Sequence, residues 1–97
     1  MKYSFHPAAE QDVADASDYY VAKAGPLVAE RFLEELNRAA LLLVEFPGLG
    51  TPNSKGNRKF PLRAFPYSLV YRHLEGRIQI LVVQHQHRKP GYGSNRQ

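Results

Sequence analysis

The sequence contains no cysteine, which excludes a disulfide framework, a thiolate metal site and a thiol nucleophile. This absence suits a reducing cytoplasm, where we expect the protein to act. The longest apolar run, Ala39 to Val44, is far shorter than the ~20 residues that a membrane span needs. The opening residues, MKYSFHP, lack an apolar signal core. We therefore expect no export signal and no membrane partner.

The familiar catalytic motifs are also missing. The sequence has no Walker loop, dinucleotide-binding fingerprint, HExxH or GxSxG motif. Asp12, Asp15 and Asp18 recur every three residues, but no further ligand is evident, and we interpret them as a solvated helix face. The sequence therefore predicts no metal site and no cofactor.

Acidic residues are almost absent from the second half of the chain. Residues 51–97 hold nine Lys/Arg and a single acidic residue, Glu75, for a net charge of +8. Residues 1–50 hold four Lys/Arg against eight Asp/Glu, a net charge of −4. This division favours a polyanionic or acidic partner on one side of the molecule. The alternative is that the basic residues only keep a small domain soluble.

The first half of the chain has the pattern of a strand followed by a helix. Lys2 to His6 alternates polar and apolar side chains, which predicts a short strand. Pro7 suits the first turn of a helix, and residues 8–24 show helical spacing. The apolar face of this helix consists of Ala9, Val13, Ala16 and Tyr20.

A second apolar stripe predicts a helix from Pro26 to about Phe46. Its members are Val28, Phe32, Leu36, Ala39, Leu43 and Phe46. Leu41 and Leu42 widen the stripe, so we expect more of that turn to be buried. Only a few residues separate the two helices, which must therefore form an antiparallel hairpin.

The remaining chain predicts a loop and three strands. Residues 48–57 are rich in Gly, Pro, Asn and Ser, which is typical of a surface loop. The strands are expected over residues 58–62, 67–73 and 77–85. Pro61 suggests an edge or a bulge in the first of them.

Apolar residues on both faces of the last strand indicate that it is central. We expect Ile78, Ile80 and Val82 on one face and Leu81 and Val83 on the other. The order βααβββ predicts an α+β domain, a helical hairpin on a mostly antiparallel four-stranded sheet. We place one domain at residues 1–92 and a loose tail at residues 93–97.

Basic side chains from different strands are the first candidate site. If Lys59, Arg63, Arg72 and Arg88 converge, they form a cationic concavity that could grip phosphates and stabilise charge during phosphodiester cleavage. Tyrosines could add stacking surfaces for bases, the candidates being Tyr67, Tyr71 and Tyr92. The alternative for Tyr67 and Tyr71 is packing within the sheet.

His85 and His87 are the second candidate site. Two residues apart on a strand, they are expected to point to one face, where a histidine could act as general acid or base. No third ligand is identifiable, so we do not expect them to bind a metal. An ordinary surface strand end is the competing interpretation.

The whole layout resembles the RelE/ParE superfamily of type II toxins, also called plasmid stabilisation proteins. The resemblance rests on HPAAEQDVADASDYY after the opening strand and on EFPGLG ending the second helix. It rests further on RKFPLRAFPYSLVYR and on the closing VVQHQHRKPGY. The resemblance implies a small bacterial toxin that a cognate antitoxin neutralises by wrapping its surface, as a toxin–antitoxin hetero-oligomer.

Two mechanisms occur in this superfamily. RelE-like members are ribosome-dependent endoribonucleases that cleave mRNA with scattered Lys, Arg and Tyr side chains, whereas ParE-like members poison DNA gyrase. Lys59, Arg63 and Arg88 fall where the RelE-like branch has basic residues. Pro61 falls where that branch has a catalytic lysine and Ser68 where it has a key arginine; Tyr92 lies only near its terminal tyrosine.

Because two important cations are missing and the hairpin is long, the resemblance favours the ParE-like branch and gyrase as the target. Target binding is then assigned to the cations Arg58, Lys59, Arg63, Arg72, Arg88 and Lys89. The ribonuclease alternative would instead use Lys59, Arg63, Arg88, His85, His87 and Tyr92. A degenerate toxin that only binds its antitoxin is the third hypothesis.

Overall fold

The computed structural model describes residues 2–87 together with Gly93 and Arg96. Two helices pack on one five-stranded sheet. The elements are β1 (Lys2–Phe5), α1 (Pro7–Ala24), α2 (Pro26–Glu45), β2 (Thr51–Pro52), β3 (Arg58–Pro61), β4 (Tyr67–Leu74) and β5 (Arg77–His85). The α+β class, the helical hairpin and the three C-terminal strands are thus confirmed.

The predicted number of strands, four, was wrong. The sheet order is β1-β5-β4-β3-β2, with β1 parallel to β5 and the other pairs antiparallel. The fifth strand, β2, pairs Thr51 with Lys59 and Pro52 with Arg58, inside the segment predicted as a loop. Two residues flanked by Gly, Pro and Asn have no periodicity of their own. This strand exists only because β3 offers it an edge.

One residue, Gly25, separates the two helices. It has a φ of 93°, and its N–H donates to the carbonyls of Tyr20 and Val21, so it closes α1 before Pro26 opens α2. Only glycine adopts this φ without strain, which is why the hairpin turns here. At the other end of α1, His6 caps the helix by accepting the N–H of Ala8 through its Nδ1 atom.

The core lies between the hairpin and one face of the sheet. Its fully buried side chains include Phe32, Leu43, Leu69, Tyr71, Ile78 and Ile80. The apolar face predicted for α1 is confirmed, because Ala9 and Ala16 are buried and Val13 and Tyr20 pack against the core. The prediction that the end of the α2 stripe is buried was wrong, because Leu41 and Phe46 are each 53% exposed.

An irregularity in β5 changes which of its residues face the helices. Val70 pairs with Val82 and Tyr71 with Ile80, so Leu81 is an extra residue opposite β4. Val83 therefore joins Ile78 and Ile80 in the core cluster. The predicted grouping of Val82 with Ile78 and Ile80 was wrong, because a one-residue bulge reverses the alternation beyond it.

Four aromatic rings tie the hairpin to the end of the sheet. Tyr20 and Phe32 from the helices lie 5.3 Å apart, and both contact Phe65 and Tyr67 at centroid distances of 5.3–6.1 Å. Such tilted and edge-on pairs add about 1 kcal/mol each to the burial of the rings. This cluster fixes the β3–β4 turn and the start of β4 against the helices.

Candidate functional site

The described candidate residues lie on different sides of the sheet. Residues that pair directly across neighbouring strands share a face, and alternate residues face opposite ways. Lys59 pairs with Val70, on the face opposite to the buried Leu69 and Tyr71. Lys59 therefore faces away from the helices, toward solvent.

Arg72 lies next to the buried Tyr71 on β4, so its side chain faces the opposite way, on the same outer face as Lys59. It is half-buried, and its Nε atom donates to the Oε1 of Gln79, its cross-strand neighbour on β5, at 2.8 Å. Arg72 is thus held along the sheet by a neutral partner.

The two positions without a cation lie on the same outer face. Pro61 and Ser68 are paired directly across β3 and β4. Ser68 is 2% exposed, and its other cross-strand neighbour, Gln84, is 7% exposed. This part of the outer face therefore carries the buried neutral side chains of Ser68 and Gln84. By the same pairing rule, the described cations of the outer face are Lys2, Lys59, Arg72 and Arg77.

Arg58 does not belong to the outer face. It pairs with Tyr71 and reaches back to the loop before β2, donating from Nη1 to the carbonyl of Gly50 at 2.7 Å and of Gly48 at 3.3 Å. Tyr71 supports the same loop: its hydroxyl donates to the Pro47 carbonyl at 2.7 Å and accepts the Gly50 N–H at 2.9 Å. Both side chains hold the loop in place, and Tyr71, with no exposed surface, packs in the core.

Burial also changes the acidity of two tyrosines. The pKa of the Tyr71 hydroxyl is raised, chiefly because burial penalises the phenolate. Burial likewise raises the pKa of Tyr20, with a further contribution from Tyr67. Neither group can supply a phenolate base near neutral pH.

Arg63 lies in the turn between β3 and β4. Its side chain is exposed, while its N–H donates to the Oε2 of Glu35 on α2 at 2.6 Å. The next residue, Ala64, has a positive φ of 62°, which is unfavourable for a residue with a Cβ. The turn is therefore fixed by backbone contacts, and the Arg63 guanidinium is not brought beside Lys59 by any described contact.

The two histidines lie at the end of β5. His85 is its last residue, and His87 follows in the turn. Their rings stack at 5.0 Å, and the Nδ1 of His85 accepts the N–H of His87 at 3.1 Å. The expected common side for the two rings is confirmed, but His87 is not on the strand.

His85 faces the helices, not the cationic face. It pairs with Tyr67, whose ring it meets edge-on at 5.2 Å. The bulge at Leu81 causes this orientation, because it turns the end of β5 over. The ribonuclease hypothesis would need His85 beside Lys59, and the sheet separates them.

The remaining candidates, Arg88, Lys89 and Tyr92, lie outside the described residues, and their roles stay predictions. Among the residues that the structure describes, no group of three or more His, Asp or Glu side chains could hold a metal ion. No helix in the described part of the chain is both long and apolar enough to cross a membrane.

Two carboxylates, Asp12 and Glu35, make tertiary contacts that the sequence did not predict. Asp12 was predicted on a solvated face, but its side chain is 8% exposed: Oδ2 accepts the N–H of Val83 at 3.0 Å and pairs with Arg96 at 2.6 Å. Glu35 joins α2 to the β3–β4 turn. Neither tertiary contact leaves a local pattern, because Val83 and Arg96 lie far from Asp12 in the chain and Arg63 lies far from Glu35.

A two-helix hairpin on a mixed sheet is the fold that the resemblance to the RelE/ParE superfamily implies. Residues 3–90 match the family model described as "ParE toxin of type II toxin-antitoxin system, parDE". The chain belongs to this ParE toxin family.

A solved structure supports the same assignment. The protein is similar to a chain in a structure described as "Chromosomal ParDE TA system from P. aeruginosa", with 27% sequence identity and a TM-score of 0.77. The match covers 88% of this chain and 95% of that one. None of the curated proteins compared with the chain matches it.

Proposed function

We propose that the protein inhibits growth by binding and poisoning DNA gyrase in the cytoplasm, and that a cognate antitoxin neutralises it in a toxin–antitoxin complex. The observation that carries this proposal is the ParE family match over residues 3–90. The similar P. aeruginosa chain comes from a ParDE system, which favours an antitoxin partner for this chain as well.

The arrangement of side chains supports binding over RNA cleavage. Ribonuclease activity without a carboxylate pair needs several donors aimed at one phosphodiester, and losing such donors costs orders of magnitude in rate. Here Lys59 and His85 lie on opposite sides of the sheet, and Pro61 and Ser68 occupy positions where the ribonuclease branch has cations.

We assign target binding to the outer-face cations Lys59 and Arg72. Charged groups at an interface chiefly steer association and set specificity. Lys59 is exposed, whereas Arg72 already bonds Gln79, so Lys59 offers the cleaner test. Lys55, an exposed lysine in the turn between β2 and β3, gives a matched control with the same change of charge.

The experiment measures DNA supercoiling by purified gyrase in the presence of the purified toxin. We expect the wild-type protein to inhibit supercoiling and to cause DNA damage in cells while translation at first continues. Lys59→Ala should weaken inhibition several-fold, and Lys55→Ala should leave it near the wild-type level.

Two outcomes would replace the proposal. An immediate stop in translation with intact DNA would favour the ribosome-dependent mRNA endoribonuclease. Growth without arrest, from a folded protein that still binds its antitoxin, would identify a degenerate toxin. Equal effects of Lys59→Ala and Lys55→Ala would remove Lys59 from the target surface without deciding the target.

A further inference from the structure

A cavity of about 220 Å³ opens between α1 and the ends of β4 and β5. Its walls include Asp12, Asp15, Tyr19, Tyr67 and His85. Pockets for cofactors and drug-sized ligands are usually about 300–1,000 Å³, so this one suits a single side chain better than a nucleotide. It lies on the helix side of the sheet, away from Lys59 and Arg72.

The described residues of the cavity wall include two carboxylates, Asp12 and Asp15, although the whole chain has a net charge of +4. No described Lys or Arg lines it. Asp15 is exposed, and its Oδ1 accepts a neutral hydrogen bond from Gln11 at 2.8 Å. Its carboxylate therefore has further lone pairs that can accept hydrogen bonds.

Aromatic rings form the other part of the wall. Tyr19 is 53% exposed, an unusual position for a large ring on a helix surface, and it meets Tyr20 edge-on at 5.5 Å. Tyr67 contributes a second ring to the cavity wall. The faces of such rings attract cations, and the attraction is stronger where water is partly excluded.

A contact beside the cavity shows how a guanidinium binds to a carboxylate on this face of α1. Asp12, one helical turn before Asp15, binds the guanidinium of Arg96 through two contacts, Nη1–Oδ2 at 2.6 Å and Nη2–Oδ1 at 3.3 Å. The same Nη1 donates to the Leu81 carbonyl at 3.0 Å. A planar guanidinium can pair with a carboxylate and stack on a ring at the same time, which a lysine ammonium does less well.

We propose that this cavity binds the side chain of an arginine from a protein partner. Asp15 pairs with the guanidinium, and Tyr19 and Tyr67 cover its faces. Charge complementarity selects the occupant, because a carboxylate and two tyrosines on an otherwise basic molecule favour a cation and disfavour a phosphate. The proposal is independent of gyrase poisoning, since it concerns a different surface and is tested by direct binding.

The test is a titration of the isotopically labelled full chain with an acetylated, amidated Gly-Arg-Gly peptide, followed by the backbone amide signals. The matched ligand is the same peptide with citrulline, which keeps the shape and lacks the charge. We expect saturable shifts at Asp15, Tyr19 and His85. Because an accessible ion pair contributes up to about 1 kcal/mol, citrulline should bind about fivefold more weakly.

Variants separate the cavity from general surface charge. Asp15→Asn should lower the affinity for the arginine peptide about fivefold. Asp18→Asn, which changes an exposed residue of the same helix outside the cavity, should leave that affinity unchanged. Tyr19→Ala should weaken binding and Tyr19→Phe should retain it, since the ring face carries the attraction. Each variant is first shown to be folded by circular dichroism.

Several results would overturn the proposal. Equal affinity for the arginine and citrulline peptides would mean that the cavity does not select charge. Equal losses of peptide affinity in Asp15→Asn and Asp18→Asn would place the arginine elsewhere. Saturable shifts of amide signals confined to another surface would do the same. Tighter binding of spermidine than of the peptide, with the same dependence on Asp15, would identify a polyamine site instead of a protein contact.

Discussion

Glu35 shows how much one carboxylate contributes to this molecule. It accepts from the Nε of Arg38 at 2.7 Å, from its Nη2 at 2.8 Å, and from the N–H of Arg63 at 2.6 Å. The hydrogen bonds from Arg38 and from the Arg63 backbone lower the pKa of this carboxyl despite its partial burial. Glu35 thereby links α2 to the strained turn at Ala64.

We expect Glu35→Gln to lower the free energy of unfolding by about 1 to 2 kcal/mol at neutral pH, because charge-assisted hydrogen bonds are lost. The folded pKa lies below the unfolded one, so the stabilisation is present above the unfolded pKa and is lost as pH falls through the folded pKa. The difference between wild type and variant should therefore shrink in acid.

Urea unfolding across an acidic pH series measures this effect. Glu34→Gln, an exposed neighbour, is the control and should change stability by less than about 0.5 kcal/mol. If the stability difference between wild type and Glu35→Gln stays constant from neutral to acidic pH, the charge of Glu35 is not what stabilises the fold.

At the scale of elements, the loop between α2 and β2 is positioned by the sheet beneath it. Gly50 is buried directly over Tyr71: a Cβ at this position would lie 2.7 Å from the Tyr71 hydroxyl and 3.0 Å from the Lys59 carbonyl. Gly48, two residues earlier, has nothing within 4 Å. Close approach to the sheet, and not the turn itself, is therefore what requires glycine at position 50.

Gly50→Ala should lower the free energy of unfolding by about 1 to 3 kcal/mol, since the extra methyl overpacks a fixed ring and a strand carbonyl. Gly48→Ala is the matched control in the same loop and should be much milder. Thermal unfolding of both variants measures the contrast. Similar losses of stability in the two variants would mean that loop flexibility, and not contact with Tyr71, is the reason for glycine at position 50.

Helices and strands also differ in how far local sequence predicts them. The 3.6-residue spacing located α1 and α2 to within one residue and placed Phe32 and Leu43 in the core. The alternation in β5 failed beyond Ile80, because the extra residue at the bulge depends on how β4 pairs with it. A pairing register is a property of two strands, so one strand cannot reveal it.

At the scale of the whole molecule, Asp12 joins three distant parts of the chain. β1 follows β5 only as far as Ile80, and no other strand of the described residues pairs with the next part of that edge. Asp12 accepts the Val83 N–H there, and Arg96 donates to the Leu81 carbonyl. An ion pair thus covers a strand edge, and it holds one residue of the segment predicted as a loose tail.

We expect Asp12→Ala to lower the free energy of unfolding by about 3 kcal/mol, because it removes the carboxylate from a largely buried ion pair. Hydrogen exchange should show a loss of protection at the Val83 amide. Asp18→Ala, on the exposed part of α1, is the control and should alter neither quantity. Full protection of Val83 in a folded Asp12→Ala protein would contradict this role.

The sequence by itself determined the two helices, four of the five strands, their order and the division of charge, because periodicity and turn residues act over a few positions. It also carried the family resemblance that the ParE match confirms. Only the tertiary structure decided which candidates meet: it separated Lys59 from His85, assigned Arg58 to the loop, and built a cavity between Asp15 and Tyr67. The physical reason is that these outcomes depend on strand register and on contacts between residues dozens of positions apart, neither of which leaves a local pattern.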